Sequence, residues 1–366
     1  MKKVGIIVEY NPLHNGHIYH INKIKESSGA DIIIAVMSSS ITMRGDLSIY
    51  NKFEKTKQAL LASVDLVVEL PFILAMQRAD IFALNAIKIL NLLHVNEIWI
   101  GSEENNIKIY EDAYIKYKSN NDLINDYIKK GLSYKEAYNN IYNLKSNDIL
   151  GFSYYKAIKD NNFNIELKTI KRINSEYLET SPKDNNITSA LAIRSNLDLL
   201  NQYTPKYVYE NKNILDENKI FNYLKYTILT KSKNELKEIF FVDEGLENKL
   251  GDIKDYNNLD EFINYLSTKR YTKSRIKRML YYILFNIKKD DINKLSNIDF
   301  IRVLGFNEIG NNYLSKIKND IKIYTNIKNG INNILDIELK VSKILDSIYN
   351  IDLFKNEQKA PVMIKK

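Results

Sequence analysis

The sequence predicts an α/β fold, a parallel sheet covered on both faces by helices, followed by a mostly helical second domain. Three observations carry that prediction. Val4–Val8, Asp31–Val36, Leu66–Glu69 and Glu97–Ile100 are short apolar, β-branched runs with almost no polar interruption, as strands buried on both faces require. Between them His17–Lys25, Lys52–Ser63 and Ala79–Leu93 have helical spacing, so strands and helices alternate. Beyond about Gln202 the strand-like runs nearly vanish and helical spacing dominates, as in Ile220–Thr230, Glu235–Phe240 and Ser274–Ile287.

Taken in order, the first strand delivers the chain into Asn11-Pro12-Leu13-His14-Asn15-Gly16-His17, and a helix follows. Two further strand–helix units come next. After the fourth strand, Asn105–Asn143 is polar, tyrosine-rich and helical in period, an excursion from the sheet. Asn147–Lys159 is helix-like, Asn164–Ile170 strand-like, and another helix runs from about Thr188 to Leu200. Asn201–Lys206, with Pro205, marks a boundary between domains 1–201 and 202–366. The tail after Asn356 is expected to fray.

At 366 residues, with 45% hydrophobic and 27% charged side chains, the chain has material for two cores and the composition of a globular protein. It has no cysteine, which excludes disulfides, thiolate zinc sites and thioester intermediates. The apolar start is too short for a signal peptide, and Ala59–Met76 is broken by Asp65 and Glu69, so no membrane span and a cytoplasmic setting are expected. A net charge of +8 leaves a polyanion as a plausible partner.

Three of the four histidines, His14, His17 and His20, fall within seven residues where the first strand hands over to a helix. In open α/β sheets ligands bind there, beyond the carboxyl ends of the strands and against helix N-termini. Gly16 is expected to let backbone approach a ligand, and the imidazoles to donate to anionic oxygens without lysine's fixed charge. Such a site suits nucleotide phosphates as charge builds during substitution at phosphorus. Neither a phosphate-binding G-x-x-x-x-G-K-[ST] nor a dinucleotide-binding G-x-G-x-x-G occurs. His94 follows an apolar helix and reads as structural.

Gly5–His17 resembles the signature of the bacterial tRNA(Met) cytidine acetate ligases, members of the H-x-G-H nucleotidyltransferase superfamily. Met43-Arg44-Gly45-Asp46, Asp65–Pro71, Gly101-Ser102-Glu103, Asn147–Gly151, Ser274–Arg278 and Arg302–Phe306 are similar to that family too. The resemblance spans about Lys3 to Lys318. It implies a Rossmann-like nucleotidyltransferase domain that uses ATP and Mg2+ to activate acetate as acetyl-adenylate, releasing pyrophosphate. The acetyl group then passes to the wobble cytidine of elongator tRNA(Met), giving N4-acetylcytidine. It implies His14 and His17 as catalytic residues. The ATP contacts it implies are Ile7, Val8, Glu9, Tyr10, Asn11, Pro12, Leu13, His14, Asn15, Gly16, His17, Ile18, Tyr19 and His20, with Gly101, Asn147 and Arg172. Arg44 and Lys52 match basic positions expected to face phosphate or tRNA, and Ser189 and Arg194 match a further element in which Leu191 replaces a hydroxyl residue. The alternative is a small-molecule adenylyltransferase of cofactor metabolism on the same site.

Lys269, Arg270, Lys273, Arg275, Lys277, Arg278, Lys288 and Lys289 lie between Glu261 and Asp290 with no acidic residue among them, and Tyr271, Tyr281 and Tyr282 are interleaved. Such a face suits an RNA backbone with bases stacked on tyrosine rings.

Overall fold

The computed structural model describes residues 1–119, 121–132, 134–142, 144–172 and 186–365. Its sheet contains β1 (Lys3–Val8), β2 (Ile32–Ser38), β3 (Leu66–Leu70), β4 (Glu97–Ser102), β5 (Glu166–Lys171), β6 (Phe300–Phe306), β7 (Lys322–Tyr324) and β8 (Val362–Met363). The order is β5-β4-β1-β2-β3-β6-β7, with β8 beside β6. β1 pairs in parallel with β2 from Lys3↔Ile32 to Val8↔Met37, and with β4 from Val4↔Glu97. β1 to β5 are mutually parallel, and each predicted strand run falls on one of them, with Asp31, Asn164 and Ile165 just outside. Every residue of β2 and β3 is buried, which explains their unbroken apolar runs.

The chain steps outward from β1 through β2 to β3, then crosses back to β4 and β5 on the other side. That reversal opens a crevice between the carboxyl ends of β1 and β4. The helix α1 (Asn15–Ser28) follows β1 and stops at Gly29, whose φ of 63° is the left-handed conformation that ends helices. The helix α2 (Lys52–Leu61) starts at Asn51, whose side chain accepts the N–H groups of Phe53 and Glu54. The insertion folds as helices Lys108–Ser119, Asn121–Lys129 and Tyr134–Tyr142, and its Tyr110, Tyr138 and Tyr142 are core residues.

The second half departs from the expected strand-poor character. β6 joins the sheet antiparallel to β3, so the sheet crosses the expected boundary at 201–202. Arg302 interrupts its apolar run, which is why the strand escapes the pattern. The guanidinium is buried, donating to the Val303 carbonyl at 2.8 Å and to a Glu357 carboxylate oxygen at 3.3 Å.

Nor does the tail fray: Glu357 is fully buried and β8 pairs with β6. Glu357 closes a cage around Lys52 with Glu69 at 2.6 Å and Glu338 at 2.8 Å. Lys52 therefore faces neither phosphate nor tRNA; it pins α2, β3 and the helices Asn333–Tyr349 and Leu353–Glu357 together. Removing the lysine from such a buried cluster costs roughly 3–5 kcal/mol, because the carboxylates lose their cation.

Candidate nucleotide site

The turn after β1 is organised by its own histidines. His14 is the N-cap of α1, its Nδ1 accepting the Gly16 N–H at 3.0 Å. His17 Nδ1 accepts the His14 N–H at 3.2 Å, so imidazoles form a reciprocal capping box. The two rings stack with centroids 3.8 Å apart, and the Tyr10 ring meets His17 edge-on at 4.9 Å. An accepting nitrogen carries no proton, so each neutral ring keeps its hydrogen on Nε2. Burial, followed by the charges of Arg172 and Arg194, lowers the His14 pKa to about 3. Burial, with His14 and Arg172 nearby, holds His17 well below the ordinary histidine range. At neutral pH the turn thus offers two Nε2–H donors at the positive end of a helix. That is a place for an anion.

Gly16 also makes room inside the turn itself. A Cβ there would lie 2.8 Å from His14 Cε1 and 3.0 Å from Nδ1. The missing side chain makes room for the capping ring. Val8, Tyr10 and Leu13 are core residues beneath the turn, Pro12 is buried, and Ile18 and Tyr19 are half-buried. Ile7 packs on the other core. Asn15 Nδ2 donates to the Asn186 carbonyl at 3.0 Å. His20 is half-buried one turn along α1, and burial with the Arg172 charge brings its pKa to about 4. His94 is exposed at the end of its helix.

Contacts from the neighbouring loops and helices hold the turn. Asn11 donates to the Leu47 carbonyl at 3.2 Å and accepts the Ile49 N–H at 2.9 Å. Arg194 donates to the Asn11 carbonyl at 2.7 Å from a helix, Ala190–Ser195, capped by the Ser189 hydroxyl. Glu9 accepts the Met43 N–H at 2.6 Å and the Ser38 hydroxyl at 3.3 Å, and burial raises its pKa.

Lys55 is the residue sequence reasoning missed. Its buried ammonium donates to the carbonyls of Glu9 (3.0 Å), Ser38 (2.9 Å) and Ser39 (2.7 Å) and to the Ser48 hydroxyl (3.0 Å). It ties the carboxyl end of β1 to that of β2. The available signal was helical spacing, which puts Lys52, Lys55, Thr56 and Ala59 on the buried face of α2.

Across the crevice stand the other predicted residues. Gly101 is in β4, and a Cβ on it would meet the Arg172 Cγ at 3.3 Å. The Arg172 stem thus lies over the face expected to receive adenine or ribose. Arg172 extends β5, its N–H donating to the Ser102 carbonyl at 3.0 Å. Asn147 lies within the helix Ser146–Asp160, donating to Glu103 at 2.8 Å. Asp148 beside it accepts from Ser102 (2.6 Å) and Tyr110 (2.7 Å), building the turn after β4. His14, His17, His20, Gly101 and Arg172 therefore share one crevice mouth, with Asn147 joined to it through Glu103.

The basic stretch of the second half is altered by its surroundings. Arg270 pairs with Glu244 at 2.7 Å, Lys288 with Glu238 at 2.8 Å, Lys289 with Asp243 at 2.9 Å and Lys277 with Asp46 at 2.7 Å. Arg278 is buried and donates to the carbonyls of Met43 and Gln77. Tyr271, Tyr281 and Tyr282 are buried too, so they offer no stacking surface. Among the described residues no group of acids and histidines could hold a metal, and no helix is long and apolar enough to cross a membrane.

A parallel sheet with a histidine-capped helix at its switch point is the frame of a nucleotide-binding protein. The family model described as HIGH Nucleotidyl Transferase matches residues 1–360. The tRNA(Met) cytidine acetate ligase of Caldicellulosiruptor saccharolyticus is 38% identical over 94% of this chain and 93% of its own, and that of Staphylococcus haemolyticus 37% identical over all of both. The crystal structure of Thermotoga maritima TmcAL bound with alpha-thio ATP superposes with a TM-score of 0.86 at 26% identity, covering both chains entirely. The chain belongs to the tRNA(Met) cytidine acetate ligase family.

Proposed function

We propose that this chain activates acetate with ATP and transfers the acetyl group to the wobble cytidine of elongator tRNA(Met), as a cytoplasmic ligase. The observation that carries the reading is the pair of neutral imidazoles, pinned through Nδ1 and so protonated on Nε2, at the N-terminus of α1 beside the β1–β4 switch point. The relatives' shared name and the ATP analogue in the Thermotoga neighbour support it.

His14 and His17 donate to the triphosphate, and Arg172 supplies positive charge from the opposite lip. An acetate oxygen attacks the α-phosphorus in line, the bond to the β-phosphate oxygen breaks, and pyrophosphate leaves. Positioning and charge neutralisation carry such a step, and they are what this site provides. The product is a mixed anhydride, so the absence of cysteine is no obstacle. The cytidine amine then attacks the acetyl carbonyl, the amine loses a proton, and AMP leaves with one former acetate oxygen. Magnesium would be held chiefly by the triphosphate oxygens, since it is commonly bound through substrate phosphates.

Nucleoside mass spectrometry of tRNA incubated with the protein, ATP and labelled acetate tests this. Labelled N4-acetylcytidine is expected. Pyrophosphate exchange that needs a cofactor precursor instead of acetate would establish the small-molecule adenylyltransferase.

A further inference from the structure

Helix Ile220–Leu229 buries Ile220, Phe221, Leu224 and Ile228. Its outer face is unusual. Tyr223, Tyr226 and Leu229 are 46%, 72% and 51% exposed and, three residues apart, form one stripe. No other helix among the described residues exposes three large apolar side chains. Exposed apolar stripes with polar rims mark binding surfaces.

The rim is basic. Residues 218–234 contain Lys219, Lys225, Lys231 and Lys233 and no acid. Among the described residues none of the four enters a salt bridge, whereas the neighbouring Lys206 and Lys237 do. Lys225 donates to the Tyr256 carbonyl, and Lys219 sits over the Tyr349 ring. Of the two flanking glutamates, Glu217 is turned inward, accepting the Leu47 N–H at 2.9 Å and the Tyr281 hydroxyl at 2.6 Å, while Glu235 caps the next helix at Ser232, near Lys231. Leu47 in turn accepts from Asn11 at 3.2 Å, so the foot of the helix is tied to the nucleotide turn.

We propose that this face binds the single-stranded loop of the RNA substrate, with bases stacked on Tyr223 and Tyr226 and phosphates drawn to Lys219 and Lys231. Every base has a π-face, and a lysine rim suits the backbone. A second copy of the chain fits worse, because a symmetric contact would set lysines against lysines. The inference rests on the RNA substrate assigned above and moves the RNA contact away from the helix Lys273–Leu284.

The test measures the affinity of the full chain for the tRNA(Met) anticodon stem-loop, beside acetate-dependent pyrophosphate exchange. Tyr223→Ala/Tyr226→Ala is expected to weaken binding roughly tenfold or more, and the double Phe variant less than about twofold. Lys219→Gln/Lys231→Gln is expected to lower the salt slope by about one per lysine. Exchange stays at the wild-type rate in all three, and Arg275→Gln, paired with Asp243, leaves affinity unchanged. Unaltered affinity in the double alanine variant overturns the proposal. So does a wild-type dimer in sedimentation that this variant dissociates without loss of RNA affinity. Weakened RNA binding in the variant, with no acetate-dependent exchange by the wild type, would uphold this face and refute the acetylation reading.

Discussion

Gly16→Ala separates the geometry of the turn from its stability. The new Cβ would lie 2.8 Å from His14 Cε1, while ordinary contact begins near 3.4 Å, so the ring must recede by about 0.6 Å. Losing the cap costs about 1 kcal/mol. Replacing glycine by alanine inside a helix returns a similar amount, about 1 kcal/mol. The two nearly cancel, and the melting temperature should move by less than about 2 °C. The Nε2 donor, however, is displaced from the phosphate, and misplacement by about 1 Å costs roughly a hundredfold in rate. Acetate-dependent exchange of labelled pyrophosphate into ATP should fall about tenfold to a hundredfold in kcat/KM. A wild-type rate at unchanged melting temperature would show that the placement of His14 is irrelevant. A collapse in melting temperature would show the turn to be structural.

Three other outcomes follow from the same site and frame. His14→Ala and His17→Ala are each expected to abolish pyrophosphate exchange while leaving tRNA affinity within about twofold; equal loss of both would make the histidines structural. Because burial depresses the His14 pKa to about 3, the unfolded chain binds that proton more readily below pH 6.5. Stability present above pH 6.5 is therefore lost as pH falls, by about 2 kcal/mol at pH 5 from this group. His14→Gln should flatten the difference between urea unfolding at pH 7 and pH 5, and an identical difference in the variant would contradict the assignment. Burial and the neighbouring Glu338 raise the Glu69 pKa to about 8, which favours its protonated form. Glu69→Gln should then cost less than about 1 kcal/mol, against roughly 3–5 for Lys52→Met, which strands buried carboxylates. Equal costs in chemical denaturation would refute this charge state.

What was legible in the sequence was what is local. β1 to β4 are uninterrupted because both faces are buried, and the histidine turn falls within seven residues, so no distant contact was needed to read it. What was illegible depends on partners far along the chain. Arg302 broke the β6 pattern because its partner Glu357 lies 55 residues away. Lys52 read as a contact to phosphate or tRNA because Glu338 lies 286 residues away. The basic stretch looked unneutralised because its acids come from 238–244 and from Asp46. Its tyrosines have the helical spacing of a core, and only burial distinguishes them from Tyr223 and Tyr226.

The route of one oxygen atom tests the central claim most directly. With acetate carrying 18O in both carboxylate positions, attack on the α-phosphorus puts one labelled oxygen into the AMP released on transfer to tRNA. Mass spectrometry of the nucleotide should find AMP heavier by one label, beside unlabelled pyrophosphate. Label in inorganic phosphate, with ADP as the nucleotide product, would mean that acetate attacks the terminal phosphate and that the histidine turn does not position the α-phosphorus.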